Sequence, residues 1–538
     1  MTPDTAPIES WVSQLNATSV AHQTTQWEVL QTHISWVILT GSFAYKIKKP
    51  VRFEFVDYQS LEQRRHFCEL ELEFNRRFCP ELYLDCVPIV CVSDTILIDP
   101  VAHGVSFTPK QVIEYAVKMR QFPQEEIVGR HLGARDQPMM ETRRLAAQFG
   151  SDLAHLHANL PTLPAERCDW YINGVQHDSE ENFHYFQATT QAMPSRSVHF
   201  ASPQTWLDRV AQLQAWSQTQ LLKINSSLAV RARSGHVRQC HGDLHLQNIV
   251  HWQGKWAAFD GIEFNDRFQW IDVFSESAFT AMDLQAYGRA DLRAVFLSEY
   301  LEATGEYHDL EVLRFFLVYR AMVRAKIGHL KGVNCGSLSP AELSLAEASV
   351  DPCDTTAEFQ ALPEWQRYLL VAERLACGSR PKLIIMHGLS GSGKSTVAQS
   401  LVAEHRGLRV RSDRVRQWVS SATSPDQRYA TASRDQVYDE LEVIADDILG
   451  AGFTAIIDAT FLQQRHRRQM WAIAARHQVP FLIARCSASL AELEQRIRQR
   501  TNDPSEATLS VLHQQVLEQE PLSTEELAHL LPESIDAT

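Results

Sequence analysis

The chain contains 538 residues, too many for one hydrophobic core, and this length predicts roughly two to four domains. Hydrophobic residues make up 44% and charged residues 22%, and the ten cysteines include no Cys-x-x-Cys pair, which argues against a zinc knuckle or a disulfide framework. The formal net charge of −14 disfavours duplex nucleic acid as a partner, because duplex binding depends on neutralising phosphates.

Residues 30–120 are predicted to form a small β lobe with one helix. Two β-rich stretches flank a turn at Gly41-Ser42, a charged helical pattern follows, and two more β-rich stretches complete the lobe. In chain order these elements are the strands 35–40 and 44–48, the helix 61–78, and the strands 87–98 and 112–117.

Residues 121–350 are predicted to form a larger helical lobe. Helical patterns dominate 140–160, 205–225 and 288–330, and a β-rich stretch lies between the last two. The two lobes together predict one bilobal domain over residues 1–350. Loop-like composition and one helical segment then predict a linker at 351–380.

Residues 381–538 alternate between short apolar stretches and helical patterns. The predicted strands are 382–387, 408–410, 455–457 and 480–484. The predicted helices are 396–404, 435–449, 465–477 and 489–500. Strands that alternate with helices predict an α/β domain with a mainly parallel sheet.

A complete P-loop motif lies between the first predicted strand and helix of this domain. Glycines let backbone N–H groups converge on phosphate oxygens, the lysine contacts the β- and γ-phosphates, and the hydroxyl after it binds Mg²⁺. An incidental glycine-rich turn is the alternative. The motif predicts an ATP site with Ser395 as the magnesium ligand and with the contacting residues Gly388, Gly391, Ser392, Gly393, Lys394, Ser395 and Thr396.

Charged residues that follow the P-loop predict the acceptor side of a kinase. Asp413 follows the second strand and could accept a proton from a hydroxyl, while Arg416 could hold a substrate phosphate. Arg496 and Arg500 share one face of a helix. Solvated surface charges remain the alternative for both pairs. Asp458 ends the third strand, where its carboxylate could lie near the metal and the acceptor. A helix-capping role for Asp458 is the alternative.

These residues resemble the polynucleotide-kinase-like branch of P-loop kinases. That resemblance implies that Asp413 is the base, that Arg416 binds the acceptor phosphate, and that Arg496 and Arg500 belong to a lid that closes on ATP.

A second phosphate-handling pattern lies in the helical lobe. Asn248 follows Asp243 by five residues, and Asp260 comes twelve residues later, which is the spacing of a protein-kinase catalytic loop and its metal-binding acid. The segment His241-Gly242-Asp243-Leu244-His245 resembles aminoglycoside and choline phosphotransferases, which are small-molecule kinases with the protein-kinase fold. A structural loop with buried polar residues is the alternative.

That resemblance implies a role for each matching residue. Asp243 would be the base for the acceptor hydroxyl, and Asn248 and Asp260 would hold magnesium. Lys46 would be the phosphate-binding lysine, with Lys48 as the alternative. Its carboxylate partner would be Glu71, although Glu69 and Glu73 are also candidates. Glu114 would lie in the hinge that faces adenine, and Glu263 would be either an extra metal ligand or a buried carboxylate. No Gly-x-Gly-x-x-Gly loop precedes Lys46.

The domain order resembles bacterial proteins described as bifunctional aminoglycoside phosphotransferase/ATP-binding proteins. It implies an α+β protein-kinase-like bilobal domain, followed by an α/β P-loop NTPase domain at 381–538. We expect a tandem ATP- and Mg²⁺-dependent phosphotransferase whose acceptor is an unidentified small molecule, nucleotide or nucleic-acid end. One alternative is a P-loop kinase or ATPase regulated by a nucleotide-sensing amino-terminal domain, and another is an ATPase or adaptor without an acceptor. No signal peptide or membrane span is evident, so a cytoplasmic protein without a membrane partner is expected.

Overall fold

The computed structural model describes residues 15, 19–20, 27–53, 56–132, 139–191, 203–334, 357–378, 380–419, 431–499 and 508–532. Internal contacts divide the chain into two compact units. The first unit comprises residues 1–135, 161–163 and 237–271, and the second comprises residues 136–160, 164–236 and 272–538. Most of the predicted helical lobe therefore shares a unit with the predicted P-loop domain, and the predicted boundary near residue 380 stays a prediction.

The first unit begins with an antiparallel sheet. Its elements are β1 (Glu28–Gln31), β2 (Ser35–Leu39), β3 (Phe43–Lys48), β4 (Arg52–Phe53), β5 (Val56–Asp57), α1 (Leu61–Asn75), β6 (Tyr83–Val92), β7 (Thr95–Ile98), β8 (Val112–Arg120) and α2 (Val128–His131). The main sheet has the order β1-β2-β3-β8-β6-β7 with antiparallel neighbours. Its core includes the fully buried residues Ile38, Ile47, Ile89 and Ile98. The predicted strand 87–98 is thus a hairpin of two strands.

Helix α1 begins at a capping box. Ser60 Oγ accepts a hydrogen bond from the Gln63 N–H at 3.1 Å, and the Gln63 side chain accepts one from the Ser60 N–H at 3.2 Å. The helix buries Glu71 completely. The predicted helix 61–78 is confirmed, although it ends at Asn75. The cap and the apolar face therefore fix the position of Glu71 beside the sheet.

The chain then contributes three long helices to the second unit: α3 (Met139–Asn159), α4 (Cys168–Gln191) and α5 (Pro203–Arg233). It returns to the first unit through β9 (Val237–Gln239), β10 (Ile249–Trp252), β11 (Lys255–Ala258) and α6 (Asp266–Gln269). Strands β10 and β11 form an antiparallel hairpin in which Ile249 pairs with Ala258. This hairpin places the two halves of the kinase-type motif on either side of one turn.

Helices continue the second unit after the short strand β12 (Trp270–Asp272). They are α7 (Val273–Ala286), α8 (Ala290–Thr304), α9 (Leu310–Asn334), α10 (Ala357–Ala361) and α11 (Glu364–Cys377). Helix α3 packs so closely on α8 that a Cβ at Gly150 would lie 2.4 Å from the Phe296 carbonyl oxygen. The predicted helical stretch 288–330 is two helices, because Gly305 takes a left-handed conformation with φ of 75°.

The carboxyl-terminal part of the second unit contains a parallel sheet. Its elements are β13 (Leu383–His387), α12 (Lys394–His405), β14 (Leu408–Arg411), α13 (Ser412–Val419), α14 (Thr431–Gly450), β15 (Ala455–Asp458), α15 (Gln464–Arg476), β16 (Phe481–Arg485), α16 (Leu490–Gln499), α17 (Leu509–Glu518) and α18 (Thr524–Leu527). The strand order is β14-β15-β13-β16 and every pairing is parallel. The predicted α/β domain with a parallel sheet is confirmed.

Candidate functional site

A cavity of about 300 Å³ lies at the carboxyl edge of the parallel sheet. It collects residues from β14, β15 and the loop after β13, as expected because the ends of parallel strands meet at one edge. Among the predicted site residues, those that line it are Gly391, Gly393, Lys394, Ser395, Thr396, Asp413, Arg416 and Arg496. Arg500 lies outside the described residues. The P-loop and acceptor-side residues therefore come together in one cavity.

The P-loop backbone has the shape of a phosphate cradle. Gly391 and Gly393 have φ of 89° and 86°, in the left-handed region that favours glycine. A Cβ at Gly388 would lie 2.3 Å from the Cys486 carbonyl oxygen. The Ser392 hydroxyl is buried and has no hydrogen-bond partner among the described residues. A buried polar atom of this kind fits a phosphate oxygen as its partner.

Lys394 and Asp458 carry the charges at the base of this cradle. The Lys394 ammonium group donates to the Leu389 carbonyl oxygen at 2.7 Å. Asp458 ends β15 and accepts a hydrogen bond from the Ser395 hydroxyl. Burial raises the pKa of Asp458, although Arg409 and Lys394 lower it. One carboxylate oxygen of Asp458 is buried without a hydrogen-bond partner among the described residues.

This arrangement fits a divalent cation. A hydroxyl and a carboxylate oxygen are hard ligands that suit Mg²⁺. Ser395 was predicted as the magnesium ligand, whereas the sequence left Asp458 open between a metal role and a helix cap. The structure joins Asp458 to Ser395 by a hydrogen bond, which favours the metal role. The signal for that role in the sequence was an acid at the end of β15, the strand that pairs with β13.

Asp413 and Arg416 form the acceptor side of the cavity. Arg416 Nη1 donates to Asp413 Oδ1 at 2.5 Å, one turn apart on α13. Both side chains face the cavity that holds Lys394. Arg496, on α16, donates to the Gly391 carbonyl oxygen at 3.5 Å, so this predicted lid arginine touches the P-loop.

The cavity is also lined by residues that the sequence did not predict, among them Arg434, Tyr438 and His466. The His466 ring stacks on Tyr438 at 3.7 Å, and burial together with Arg465 lowers the pKa of His466 to about 4. The Tyr438 hydroxyl accepts a hydrogen bond from the Phe461 N–H at 3.1 Å. No sequence motif predicts these residues, because α14 and α15 bring them together only when the chain folds.

The first unit contains a separate network of buried charges. Lys46 Nζ lies 2.8 Å from Glu71 and also donates to Asp260. Lys48 Nζ lies 2.5 Å from both Glu71 and Glu263. Burial alone would raise the pKa of Glu71, but the two lysines lower it to about 2. The structure therefore joins both candidate lysines to the predicted partner Glu71, and Lys46 alone of the two contacts Asp260 among the described residues.

The catalytic-loop residues Asp243 and Asn248 also lie together. Asn248 Nδ2 donates to Asp243 Oδ2 at 3.0 Å and to the Asp243 carbonyl oxygen at 2.9 Å. This leaves the Asn248 amide oxygen as the atom that can bind a cation. The Phe259 N–H donates to the Asn248 carbonyl oxygen at 3.0 Å, which ties the loop to the segment before Asp260.

Asp260 is held in a left-handed conformation with φ of 62°. Its N–H donates to the Tyr83 hydroxyl at 2.8 Å. Its side chain is 47% exposed, which fits a carboxylate that could reach a metal ion on the phosphates of ATP.

Glu114 lies apart from these residues. It pairs with Ile89 inside the sheet, and its carboxylate accepts a hydrogen bond from Arg64 Nε at 2.8 Å. Burial raises the pKa of Glu114 to about 7, although Arg64 lowers it. No contact among the described residues joins Glu114 to Lys46, Asp243 or Asp260. Its place in an adenine-facing hinge stays a prediction.

Comparisons with known proteins agree with these observations. Residues 383–522 match the family model described as an AAA domain. The chain is 27% identical to an uncharacterized protein of Mycobacterium tuberculosis over 506 residues, which cover 90% of this chain and 88% of that protein. The match over residues 383–522 confirms the P-loop half of the predicted resemblance.

Two solved kinases are also similar to parts of the chain. A choline/ethanolamine kinase family protein from Mesorhizobium loti covers 65% of this chain and 93% of its own, with 11% identity and a TM-score of 0.33. The APS kinase of Mycobacterium tuberculosis, in complex with AMPPNP and APS, covers 22% of this chain and 70% of its own, with 22% identity and a TM-score of 0.20.

Proposed function

We propose that the chain is a tandem ATP-dependent phosphotransferase whose P-loop site transfers the γ-phosphoryl group of ATP to an acceptor hydroxyl. The observation that carries the proposal is the single cavity shared by Lys394, Ser395, Asp413 and Arg416. A phosphate cradle, a metal-ligand pair, a carboxylate and a guanidinium in about 300 Å³ are the parts that phosphoryl transfer requires.

Each group has a definite task in this proposal. Lys394 and the P-loop amides hold the β- and γ-phosphates, and Ser395 with Asp458 would hold Mg²⁺, which would neutralise phosphate charge when bound. The acceptor oxygen forms a bond to the γ-phosphorus while the bond from that phosphorus to the β,γ-bridging oxygen breaks, which releases ADP. Asp413 accepts the hydroxyl proton, and Arg416 binds an anionic group of the acceptor. Arg496 stabilises charge on the transferred group, and Arg500 would act with it.

The kinase-like site is proposed to perform the same reaction on a second acceptor. Asp243 would accept the hydroxyl proton, Asn248 and Asp260 would hold Mg²⁺, and Lys46 would bind the phosphates while Glu71 orients it. This assigns residues 1–350 to the kinase-like domain, 351–380 to a linker and 381–538 to the P-loop domain. A nucleotide, a nucleic-acid end or a small alcohol is the proposed class of acceptor for either site.

We also place the protein in the cytoplasm, without a membrane partner. The cysteines that the structure describes are free thiols, which suits a reducing compartment. Among the described helices, none is long and apolar enough to cross a bilayer.

The test uses the full chain, [γ-³²P]ATP, and pools of metabolites, RNA ends and DNA ends. K394A and D243A should each abolish labelling of a different product, since each removes one site. K223A and D208N, which alter exposed residues on α5, are the controls and should label both products. If D243A merely changes the rate of the product that depends on Lys394, the amino-terminal half regulates instead. ATP hydrolysis without any labelled acceptor would refute phosphotransfer.

A further inference from the structure

A second cavity, of about 600 Å³, lies in the second unit at the amino-terminal edge of the parallel sheet. Lys382 precedes β13 and Thr454 precedes β15, whereas the P-loop follows the opposite end of β13, so the two cavities are distinct. Among the described residues, its lining carries one carboxylate, that of Glu404, and six cationic side chains: Arg293, Arg314, Arg374, Arg380, Lys382 and Arg406.

This concentration of positive charge contrasts with the formal net charge of −14 for the whole chain. Like charges held around one cavity repel each other, and the repulsion grows where side chains are partly desolvated. Solvent, local negative charge or a bound anion can compensate for such a cluster, and a cavity lined by one sign of charge raises the local concentration of anions.

Helix ends supply part of the compensation. The carboxyl termini of α11, α12 and α14 all reach the cavity, and each presents about half a negative charge. Arg314 contacts two of these ends. It donates to the carbonyl oxygens of Leu375 and Ala376 in α11 at 2.9 and 2.8 Å, and to that of Ala451, just after α14, at 3.4 Å. Three helix ends and Glu404 together offset less than half of the six positive charges.

The positive charge that is not offset includes side chains that make no hydrogen bond or ion pair among the described residues. Arg374, Arg380 and Lys382 make no side-chain hydrogen bond or ion pair within the described part of the chain, and the Nε atom of Arg374 is buried. Burial lowers the pKa of His405, which lines the same cavity, and Lys382 lowers it further. Leu375 and Phe453 add apolar surface to the same wall.

We propose that this basic cavity binds a small molecule that carries two or more phosphate groups. Guanidinium groups are suited to such anions because they form paired hydrogen bonds to phosphate oxygens. The volume of about 600 Å³ falls in the range of small-molecule sites and accommodates a nucleotide as well as an inorganic polyphosphate. The site would be independent of the P-loop reaction.

Calorimetric titration of the full chain with inorganic tripolyphosphate tests this proposal. The titration uses the K46M/K394A chain, in which both predicted ATP sites are weakened, and it should still reveal one binding site. Adding R374Q or R380Q should weaken that binding by about tenfold or more, because each removes a charged hydrogen-bond donor. R476Q removes an arginine from an exposed pair with Asp446 and is the charge-matched control.

A second measurement separates binding from misfolding. Without anions, R374Q and R380Q should keep or raise the Tm, since each relieves repulsion in the cluster, and both should lose part of the rise in Tm that tripolyphosphate causes. Tighter binding of ATP than of tripolyphosphate would identify a nucleotide site, and equal binding a polyphosphate site. The proposal is overturned if K46M/K394A binds no tripolyphosphate, or if R374Q and R380Q both bind it as the parent does.

Discussion

Glu302 on α8 accepts a hydrogen bond from Arg411 at the end of β14, with 3.1 Å between Oε1 and Nη1. The same carboxylate accepts from Arg409 at 3.1 Å and from Arg414 at 3.4 Å. Arg411 lines the P-loop cavity next to Ser412 and Asp413. A helix of the helical region thus sets the position of the strand end that carries the proposed base.

Replacing Glu302 with glutamine should therefore destabilise the second unit and weaken the P-loop site. Glu302 is 6% exposed, and its loss leaves three guanidinium groups short of a counter-charge. We expect a loss of about 3–5 kcal/mol in the free energy of unfolding, as when one partner of a buried ion pair is removed. Urea unfolding measures it, and E69Q, at an exposed pair with Arg65, is the control. Equal unfolding of E302Q and wild type would contradict the role of this cluster.

The sequence predicted the parts of the sites that depend on local spacing, and missed those that depend on packing. The P-loop and the Asp243–Asn248 pair are found because their residues are close in the chain and backbone geometry brings them together. The contact of Glu302 with Arg411 joins residues 109 positions apart, and no periodicity marks it. Tyr438 and His466 reach the cavity for the same reason. Lys46 and Lys48 share the β3 face, so only the fold distinguishes their partners.

Asp458 provides a prediction on metal dependence. The substitution D458N keeps the shape of the side chain but removes the negative charge of the carboxylate that accepts a hydrogen bond from the Ser395 hydroxyl. The apparent affinity for Mg²⁺ should fall by about 10- to 100-fold, as expected when a group at a metal site is lost. ATP turnover measured across a Mg²⁺ series tests this. D446N, which alters an exposed acid paired with Arg476, should leave the Mg²⁺ dependence unchanged, and an unchanged D458N would exclude Asp458 from the metal site.

The two lysines of β3 should respond differently to substitution by methionine. Lys48 is 1% exposed between Glu71 and Glu263, so K48M leaves buried carboxylates with less compensation and should cost about 3–5 kcal/mol of unfolding free energy. Lys46 is 13% exposed and Glu71 keeps Lys48 as a partner, so K46M should cost less. K46M should instead abolish labelling of the product that depends on Asp243. If K46M instead costs more unfolding free energy than K48M, and K48M abolishes the labelling, then Lys48 is the phosphate ligand.

His466 should make stability depend on pH in the acidic range. Its pKa in the folded state is about 4, below the usual value near 6.5, because burial and Arg465 disfavour the charged ring. Between these values the unfolded chain binds a proton that the folded chain does not, so the free energy of unfolding falls as pH decreases from about 6.5 to 4, by about 1.4 kcal/mol per pH unit from this group. Above pH 6.5 the group has no effect on stability.

The substitution H466F removes the titrating ring but keeps an aromatic ring to stack on Tyr438. Its urea midpoint should therefore decline less steeply than that of the wild type between pH 6.5 and 4. Part of the decline will remain, because burial also lowers the pKa of His387 to about 4. H33F, at an exposed histidine, should keep the wild-type slope. If the urea midpoints of H466F and the wild type decline in parallel, the folded chain binds a proton at His466 as readily as the unfolded chain does. The wall that His466 gives to the P-loop cavity near Arg434 would then be cationic at acidic pH instead of neutral.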